Sequence, residues 1–445
     1  MSVHSEKIDR VRQQLRERRG SKRIVAFSKS SVSHTAPDAR DPRYQRPKID
    51  LTLLNEVLEI DGPGKNCTAE SGVTFSELIR STLRQGLIPM TVPELKTITI
   101  GGAVTGCSVE SMSYKYGGFH DSCLEYEVIT GTGEVVVCSE RQDSDIFHMI
   151  HGSFGTLGIL TKLKFRLIPI KPFVRMNYVT FANVRKYWDF LYERCQSGDH
   201  DFLDGIIHGR NTMVVCLGTA VDSAPYLSSY QGNGIYYRST LEREEDFLPT
   251  YDYLFRYDTE CHWLTSTIPF MEAPIARLLL GRFFLGSSNL IRLTRIFRHF
   301  LKLKRRPEVV VDVFLPSSKS EEFYNWYERE VAYYPLWIVP YRMKEIYPWI
   351  ADRHRRNIGG ERLFIDFAVY GKKNNDPRID YSELLERKVF ESNGVKTLIS
   401  RNHYTPDTFW KIYDRPRYER IKAGMDPENL FGDLYAKLHP HREPR

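Results

Sequence analysis

The sequence predicts an α+β protein of two domains, and three observations carry that prediction. The chain has 445 residues, more than one hydrophobic core ordinarily organises. Its first part alternates short strand and helix patterns around two glycine-bearing segments, Gly101–Ser111 and Gly152–Ile159. From residue 175 on, those segments cease and the chain becomes dense in Tyr, Phe and Trp. There, strand runs such as Val309–Phe314, Leu336–Val339 and Leu363–Phe367 alternate with helical stretches, a pattern for a sheet with covering helices and aromatic walls.

Bulk properties bound the function. A hydrophobic fraction of 41% with 27% charged residues fits a folded globular protein. The net charge of +7, from 63 basic and 56 acidic residues, is mild for this length. No long basic arm or zinc-finger spacing occurs, so no nucleic-acid partner is expected. Seven scattered cysteines without a C-x-x-C pair predict reduced thiols, a cytoplasmic location and no metal site. No apolar run reaches the roughly eighteen residues of a membrane span, and Met1–Glu6 has no signal-peptide core.

The elements follow in order. Residues 6–19 form an amphipathic helix with Ile8, Val11 and Leu15 on one stripe. Arg23–Phe27 is a strand that runs into a polar loop from Ser28 to Thr35. Pro37, Pro42 and Pro47 keep the next stretch irregular. Ile49–Ile60 is strand and turn, ending in the turn signal Asp61-Gly62-Pro63-Gly64. Cys67–Glu70 is strand-like, and Phe75, Leu78, Ile79 and Leu83 mark a helix closed by Gly86. The first glycine-bearing segment reads as a loop. Leu124–Ile129 and Glu134–Cys138 flank Thr130-Gly131-Thr132-Gly133, a hairpin. Asp145–His151 is a short helix, followed by the second glycine loop and a strand over Ile159–Leu167. Pro169 and Pro172 mark a domain boundary, and Asp426-Pro427 follows a helix over Tyr418–Lys422 near the end.

Both glycine segments are rich in Ser and Thr, so their backbones can approach an anion and aim N–H and hydroxyl donors at it. Neither contains G-x-G-x-x-G, and Gly131-Thr132-Gly133 is a lone G-x-G inside a hairpin. The pair therefore reads as a pyrophosphate cradle that is not a Rossmann turn, which points to a bound flavin.

A longer string carries a resemblance. It comprises Gly86-Leu87, Pro93-Glu94-Leu95, Gly101-Gly102, Glu110–Gly117, Gly131–Glu134, Asp145-Ile146-Phe147 and Gly155–Gly158. In this order they resemble the vanillyl-alcohol-oxidase-type (PCMH-type) FAD-binding domain. Within that superfamily the chain resembles the Δ24-sterol reductases, through Ile168–Lys171, Tyr334–Trp337, Ile365–Gly371 and Phe409–Asp414 as well.

The resemblance implies a two-subdomain FAD-binding domain over 1–174, completed by a C-terminal tail over 401–445. Between them it implies an α/β cap over 175–400 built on an antiparallel sheet, with NADPH as electron donor. Thr99, Ile100, Gly101, Gly102, Ala103, Val104, Thr105, Gly106, Cys107, Ser108, Val109, Glu110 and Ser111 would wrap the FAD pyrophosphate. Ser28, Lys29, Ser30 and Ser31 would lie on the other side of the phosphates, and Gly155, Gly158 and Ile159 toward the adenine. Tyr116 and Gly117 belong to the same cofactor site, and Asn402 is placed to reach the flavin edge or the substrate. The segment before Gly101, which carries Pro93-Glu94, has no cysteine, and His34, the one histidine of the first loop, reads as a surface residue, so the FAD is expected to be non-covalent. Cys107 reads as a packing residue.

Reduction of an isolated alkene needs a proton on one carbon and a hydride on the other, in a dry pocket. Tyr370, His403, Tyr404 and Asp312 are the candidate acids, each also readable as a satisfied core or rim polar group. Between Arg277 and Arg306 lie nine basic residues, no acid and a helically spaced apolar stripe. This reads either as a helix lying on an anionic membrane, which would collect an apolar substrate, or as a cap helix with a solvated basic face. The reaction expected is reduction of a C=C bond in a sterol or isoprenoid lipid. A dehydrogenase or oxidase of an alcohol or sugar, and a flavoprotein-like scaffold without activity, are the alternatives.

Overall fold

A computed structural model describes residues 3–21, 23–31, 43, 45–231, 234–263, 277, 286, 289 and 308–439. The expectations for His34 and for nearly all of the basic 277–306 stretch lie outside the described residues.

The N-terminal helix runs from Val3 to Arg18. Its stripe of Ile8, Val11 and Leu15 packs with Val25, Ile49, Leu54, Ile129, Ile159, Leu430 and Phe431 in one small core. Each such aliphatic burial is worth about 1.5–3 kcal/mol, so this stripe is the main anchor of the helix. A polar clamp adds to it. The two ring nitrogens of His4 reach Glu70 at 2.7 Å and Glu127 at 2.8 Å, and Lys7 bonds Glu70 at 2.8 Å.

The first part of the chain forms two sheets. Ala26–Ser28 pairs in parallel with Lys48–Asp50. The larger sheet runs in the order Val57–Asp61, Asn66–Glu70, Ile159–Pro169, Cys123–Ile129, Val135–Ser139, and Leu87–Pro89 adds to the end of Ile159–Pro169. Helix Phe75–Thr82 packs on it, started by a reciprocal cap between Thr74 and Glu77. This two-sheet arrangement is the one expected of the first part of the chain.

The first glycine-bearing segment is not a loop. Ile100–Gly106 is a helix, because the Thr99 side chain caps the Gly102 N–H at 3.2 Å and Ile100, Ala103 and Val104 are buried. Gly101 permits the fit, since a Cβ there would stand 2.7 Å from Ser71 Cβ and 2.9 Å from the Ser71 carbonyl oxygen. The first N–H groups are used within the protein, Ile100 donating to Val73 and Gly101 to Ser71. The helix closes at Cys107, whose φ of 57° is left-handed.

Strand Ile159–Pro169 ends the first set of sheets and Phe173–Phe181 begins the second. The second sheet is antiparallel throughout. Its order is Glu245–Pro249, Phe173–Phe181, Thr212–Val221, Phe202–Gly209, Leu336–Arg342, Leu363–Lys372, Val309–Pro316, Val395–Lys396. Side chains alternate between two buried faces, as the two-residue strand period requires. Ile338, Ile365, Phe367 and Val369 face helices Val184–Ser197, Ser317–Glu330 and Tyr381–Glu391. Trp337, Val339, Tyr341, Phe364, Ala368 and Tyr370 face the first set of sheets.

The tail returns to the first domain. Met425 accepts from the Gly131 N–H at 2.7 Å, Leu430 accepts from Val25 at 2.9 Å, and Asp426 caps the Leu430 and Phe431 N–H groups at 2.8 Å.

The His4 clamp carries a pH signature. Hydrogen bonds to Glu127 and Glu70 raise the imidazole from 6.5 to about 9, against the opposing effect of burial. A raised folded-state value stabilises fully below the unfolded value and is lost as pH rises through the folded one. His4→Gln is therefore expected to lower the free energy of unfolding at pH 6, by on the order of 1–2 kcal/mol after solvent screening. The difference from wild type should vanish above pH 9. A difference independent of pH between 6 and 10 would refute the clamp.

Candidate functional site

A cleft with about 840 Å³ of empty space opens where the two glycine segments, the second sheet and the tail meet. Gly106, Cys107 and Val109 border it from the first segment, and Gly152, Ser153 and Phe154 from the second. The sheet supplies Phe314, Tyr341 and Val395, and the tail supplies Trp410, Tyr413 and Tyr418. Three aromatic residues in the wall make a continuous slab. Tyr347 stacks on Trp349 at 5.1 Å with 11° between planes, and Trp349 on Tyr413 at 6.0 Å and 30°. Its aromatic lining and sparse polar groups are those of a site for a flat organic ligand.

The residues present fit FAD. A Cβ at Gly106 would meet nothing within 4 Å, so this backbone is bare toward the cleft. The indole nitrogen of Trp349 is buried without a hydrogen-bond partner among the described residues, as is the hydroxyl of Ser31. Burial pushes the Cys107 thiol well up, so it is protonated at neutral pH and packs rather than reacts.

Of the thirteen residues from Thr99 to Ser111, the structure brings the C-terminal part of the helix to the cleft, and the N-terminal donors are spent on the Ser71–Val73 turn. Ser28 ends a strand, its carbonyl accepting from Leu51 at 2.9 Å, and Lys29 and Ser30 continue the loop. That loop meets the second segment through Phe27, because a Cβ at Gly155 would stand 2.8 Å from its ring. Gly158 packs tightly instead, a Cβ there lying 2.5 Å from Val128, and Ile159 pairs with Ile129. Gly117, with φ of 79°, makes room for Asp121, and Tyr116 packs on the main core. Asn402 stands behind the wall, its amide donating to Leu398, Ser400 and Leu438.

The four candidate acids fall into two pairs. The Tyr370 hydroxyl donates to Asp312, whose second oxygen accepts from Thr397 at 3.1 Å. Thr397 and Phe314 line the cleft, so this pair sits directly behind its wall. Burial raises Asp312 and raises Tyr370 strongly. His403 and Tyr404 gather instead on Glu386. The His403 N–H donates to both carboxylate oxygens, at 2.9 and 3.0 Å, and Glu386 pairs with the buried Lys396 at 2.7 Å.

Sequence reasoning missed a third group, at the seam between the first domain and the second sheet. Arg256 is fully buried between Glu110 at 2.8 Å and Asp204 at 3.2 Å. The Trp337 indole donates to Asp204 at 2.7 Å, and His262 meets Glu94 at 2.5 Å. Asp366 lies between Phe314 and Val339 in the sheet register, and burial, then the charges of Asp312 and Glu94, hold it well above the carboxylate range. Glu94, Glu110, Trp337 and Asp366 stood in separate motif strings, and nothing in local spacing joins them to one another or to Asp204, Arg256 and His262. Among the described residues no His, Cys, Asp or Glu group is arranged for a metal ion, and no helix is long and apolar enough to cross a membrane.

Comparison with known proteins agrees with this geometry. Residues 24–139 match the family model of an FAD binding domain. The chain is 24% identical to the Δ24-sterol reductase of Homo sapiens, over 98% of this chain and 86% of that one. It is 25% identical to that of Pisum sativum, over 99% and 85%. Over 35% of this chain it is also 29% identical to cytokinin dehydrogenase 7 of Oryza sativa, covering 30% of that protein.

Two outcomes are expected. Gly106→Leu should leave the melting temperature of the apoprotein near wild type and weaken FAD uptake, read by fluorescence quenching, by more than about tenfold; unchanged uptake would place the cofactor elsewhere. Arg256→Met should lower stability in urea by about 3–5 kcal/mol, because Glu110 and Asp204 are left as unpaired buried charges. The chain is an FAD-dependent oxidoreductase with a PCMH-type FAD-binding domain, similar along nearly its whole length to Δ24-sterol reductases.

Proposed function

We propose that the protein reduces a carbon–carbon double bond in a sterol or related isoprenoid lipid, with electrons drawn from NADPH. Similarity to Δ24-sterol reductases over 98% of the chain supports the reaction class. The single observation that carries the mechanism is the Tyr370–Asp312 hydrogen bond behind the cleft wall. On this reading residues 1–174 and 401–445 hold FAD without a covalent bond, and 175–400 cap the substrate. Within the first part, Gly106, Cys107, Val109 and Gly152–Phe154 border the cofactor.

FAD in its reduced form supplies a hydride to one carbon of the double bond. The chain's own residues must supply the rest. An isolated alkene is polarised by nothing, so a proton has to reach the less substituted carbon from a group that holds it in a dry setting. Tyr370 and Asp312 suit that role, because burial favours the protonated form of each and Thr397 fixes the carboxyl from the cleft side. Phe314, Tyr341, Val395 and Leu398 keep water from the positive charge that protonation creates on the substrate. Because the two acids are hydrogen-bonded, a proton given up by one can be replaced through the other after turnover.

Anaerobic stopped-flow absorbance tests this. NADPH should bleach the flavin, and a Δ24-sterol should restore its colour. Tyr370→Phe and Asp312→Asn should each slow the second step about 10²-fold or more and leave the NADPH step within about threefold. Bleaching by an alcohol without NADPH would sink the reductase reading.

A further inference from the structure

The cleft wall holds two histidines that no part of this mechanism uses. His120 follows Gly117-Gly118, and His151 immediately precedes Gly152, so the two stretches that flank the cofactor segments each contribute one. Both line the cleft, with ring centroids 4.9 Å apart and Tyr347 5.1 Å from His120. Gly118 makes the space for the first ring, since a Cβ there would stand 2.4 Å from His120 Cε1.

The hydrogen-bond inventory is incomplete. His151 Nε2 meets the Tyr126 hydroxyl at 2.9 Å, and its Nδ1 has no partner among the described residues. His120 has none at either nitrogen. Its nearest acid, Asp121, is 3.6 Å from Nε2, too far for a hydrogen bond. The same Asp121 oxygen already accepts the Gly118 N–H at 2.8 Å and the Tyr347 hydroxyl at 2.6 Å. Both histidines are nearly fully buried, at 1% and 4% exposure. A buried polar atom left unmatched costs about 1–3 kcal/mol, whereas a phenyl ring in the same place costs nothing of the kind. Three unmatched nitrogens on one wall of one cleft therefore call for a ligand. Burial holds His120 below the ordinary imidazole range and His151 well below it, so each ring is neutral and offers both a donor and an acceptor.

We infer that His120 and His151 form a cofactor-recognition pair whose unmatched ring nitrogens hydrogen-bond FAD. This rests on the FAD reading of the cleft and is independent of the substrate. The two tilted rings lie against Tyr347, the first ring of the aromatic slab, so the slab and the unmatched ring nitrogens belong to one continuous surface. The pair fits a heteroaromatic ring system with mixed donors and acceptors better than an apolar lipid.

The test is FAD titration of the deflavinated full-length protein, followed by quenching of flavin fluorescence, with no substrate present. His120→Phe and His151→Phe should each raise the Kd about tenfold, and His120→Gln and His151→Gln, which keep a donor and an acceptor, should stay within about threefold of wild type. Histidine ¹⁵N resonances of the wild-type protein, assigned with the Gln variants, should shift at both residues on addition of FAD. That measurement decides the matter if the Phe variants do not fold. Wild-type uptake with unchanged Phe variants, or with neither resonance moving, would overturn the histidine assignment alone. Failure of the wild-type apoprotein to take up FAD would overturn the cofactor reading and this pair with it.

Discussion

The structure depends on one buried cation. Arg256 has no solvent-exposed side-chain surface, and it ties Glu110, at the end of the first glycine segment, to Asp204 on the second sheet. The faces of Tyr253 and Tyr257 lie 4.3 and 4.7 Å from its guanidinium, which adds cation–π attraction in a dry setting. A buried charge of this kind is costly to desolvate, and it persists only because every partner is in place. Its consequence is geometric. The two sets of sheets cannot slide past each other without stranding three charges, and the backbone bond from Leu203 to Ser111 at 2.9 Å holds the same register.

The cleft is what this seam leaves open. Its walls divide by chemistry as well as by origin. The aromatic slab comes from the segment after Tyr341 and from the tail, the two histidines come from the first domain, and the acids stand behind the wall on the second sheet. Asp312, Asp366 and Tyr370 stand on adjacent strands and face the first domain, so three groups that favour their protonated forms collect on one side. The reduction proposed above would take a hydride from one face and a proton from the other, and this grouping would be its acid side. Antiparallel strands provide it by placing every second residue on the same face.

Much of the fold was legible because it is written locally. The Ile8, Val11 and Leu15 stripe, the Thr130–Gly133 hairpin and the strands around Val313, Ile338 and Ile365 all follow short-range periods. The first glycine segment read as a loop because glycine is a poor helix former. Thr99 capping and the buried Ile100, Ala103 and Val104 outweighed a propensity penalty of about 1 kcal/mol per glycine. In the site, Tyr370 and Asp312 were legible as acids on strands, but their hydrogen bond was not, since 58 residues separate them. His403 and Tyr404 were named beside them as candidate acids, yet they pack onto Glu386. His120 and His151 left no trace, because a single histidine beside a glycine has no period or spacing to betray a role.

The sequence by itself determined the cofactor class and the kind of fold, because glycine segments, hairpin signals and strand alternation depend on neighbours a few residues apart. Tertiary structure alone decided which polar groups meet. Arg256 finds Glu110 and Asp204 across 146 and 52 residues, and His262 finds Glu94 across 168. Such partners are selected by burial: a charge or ring nitrogen withdrawn from water must be matched wherever the folded chain happens to place a complement. That requirement is a property of the packed interior, and no local pattern encodes it.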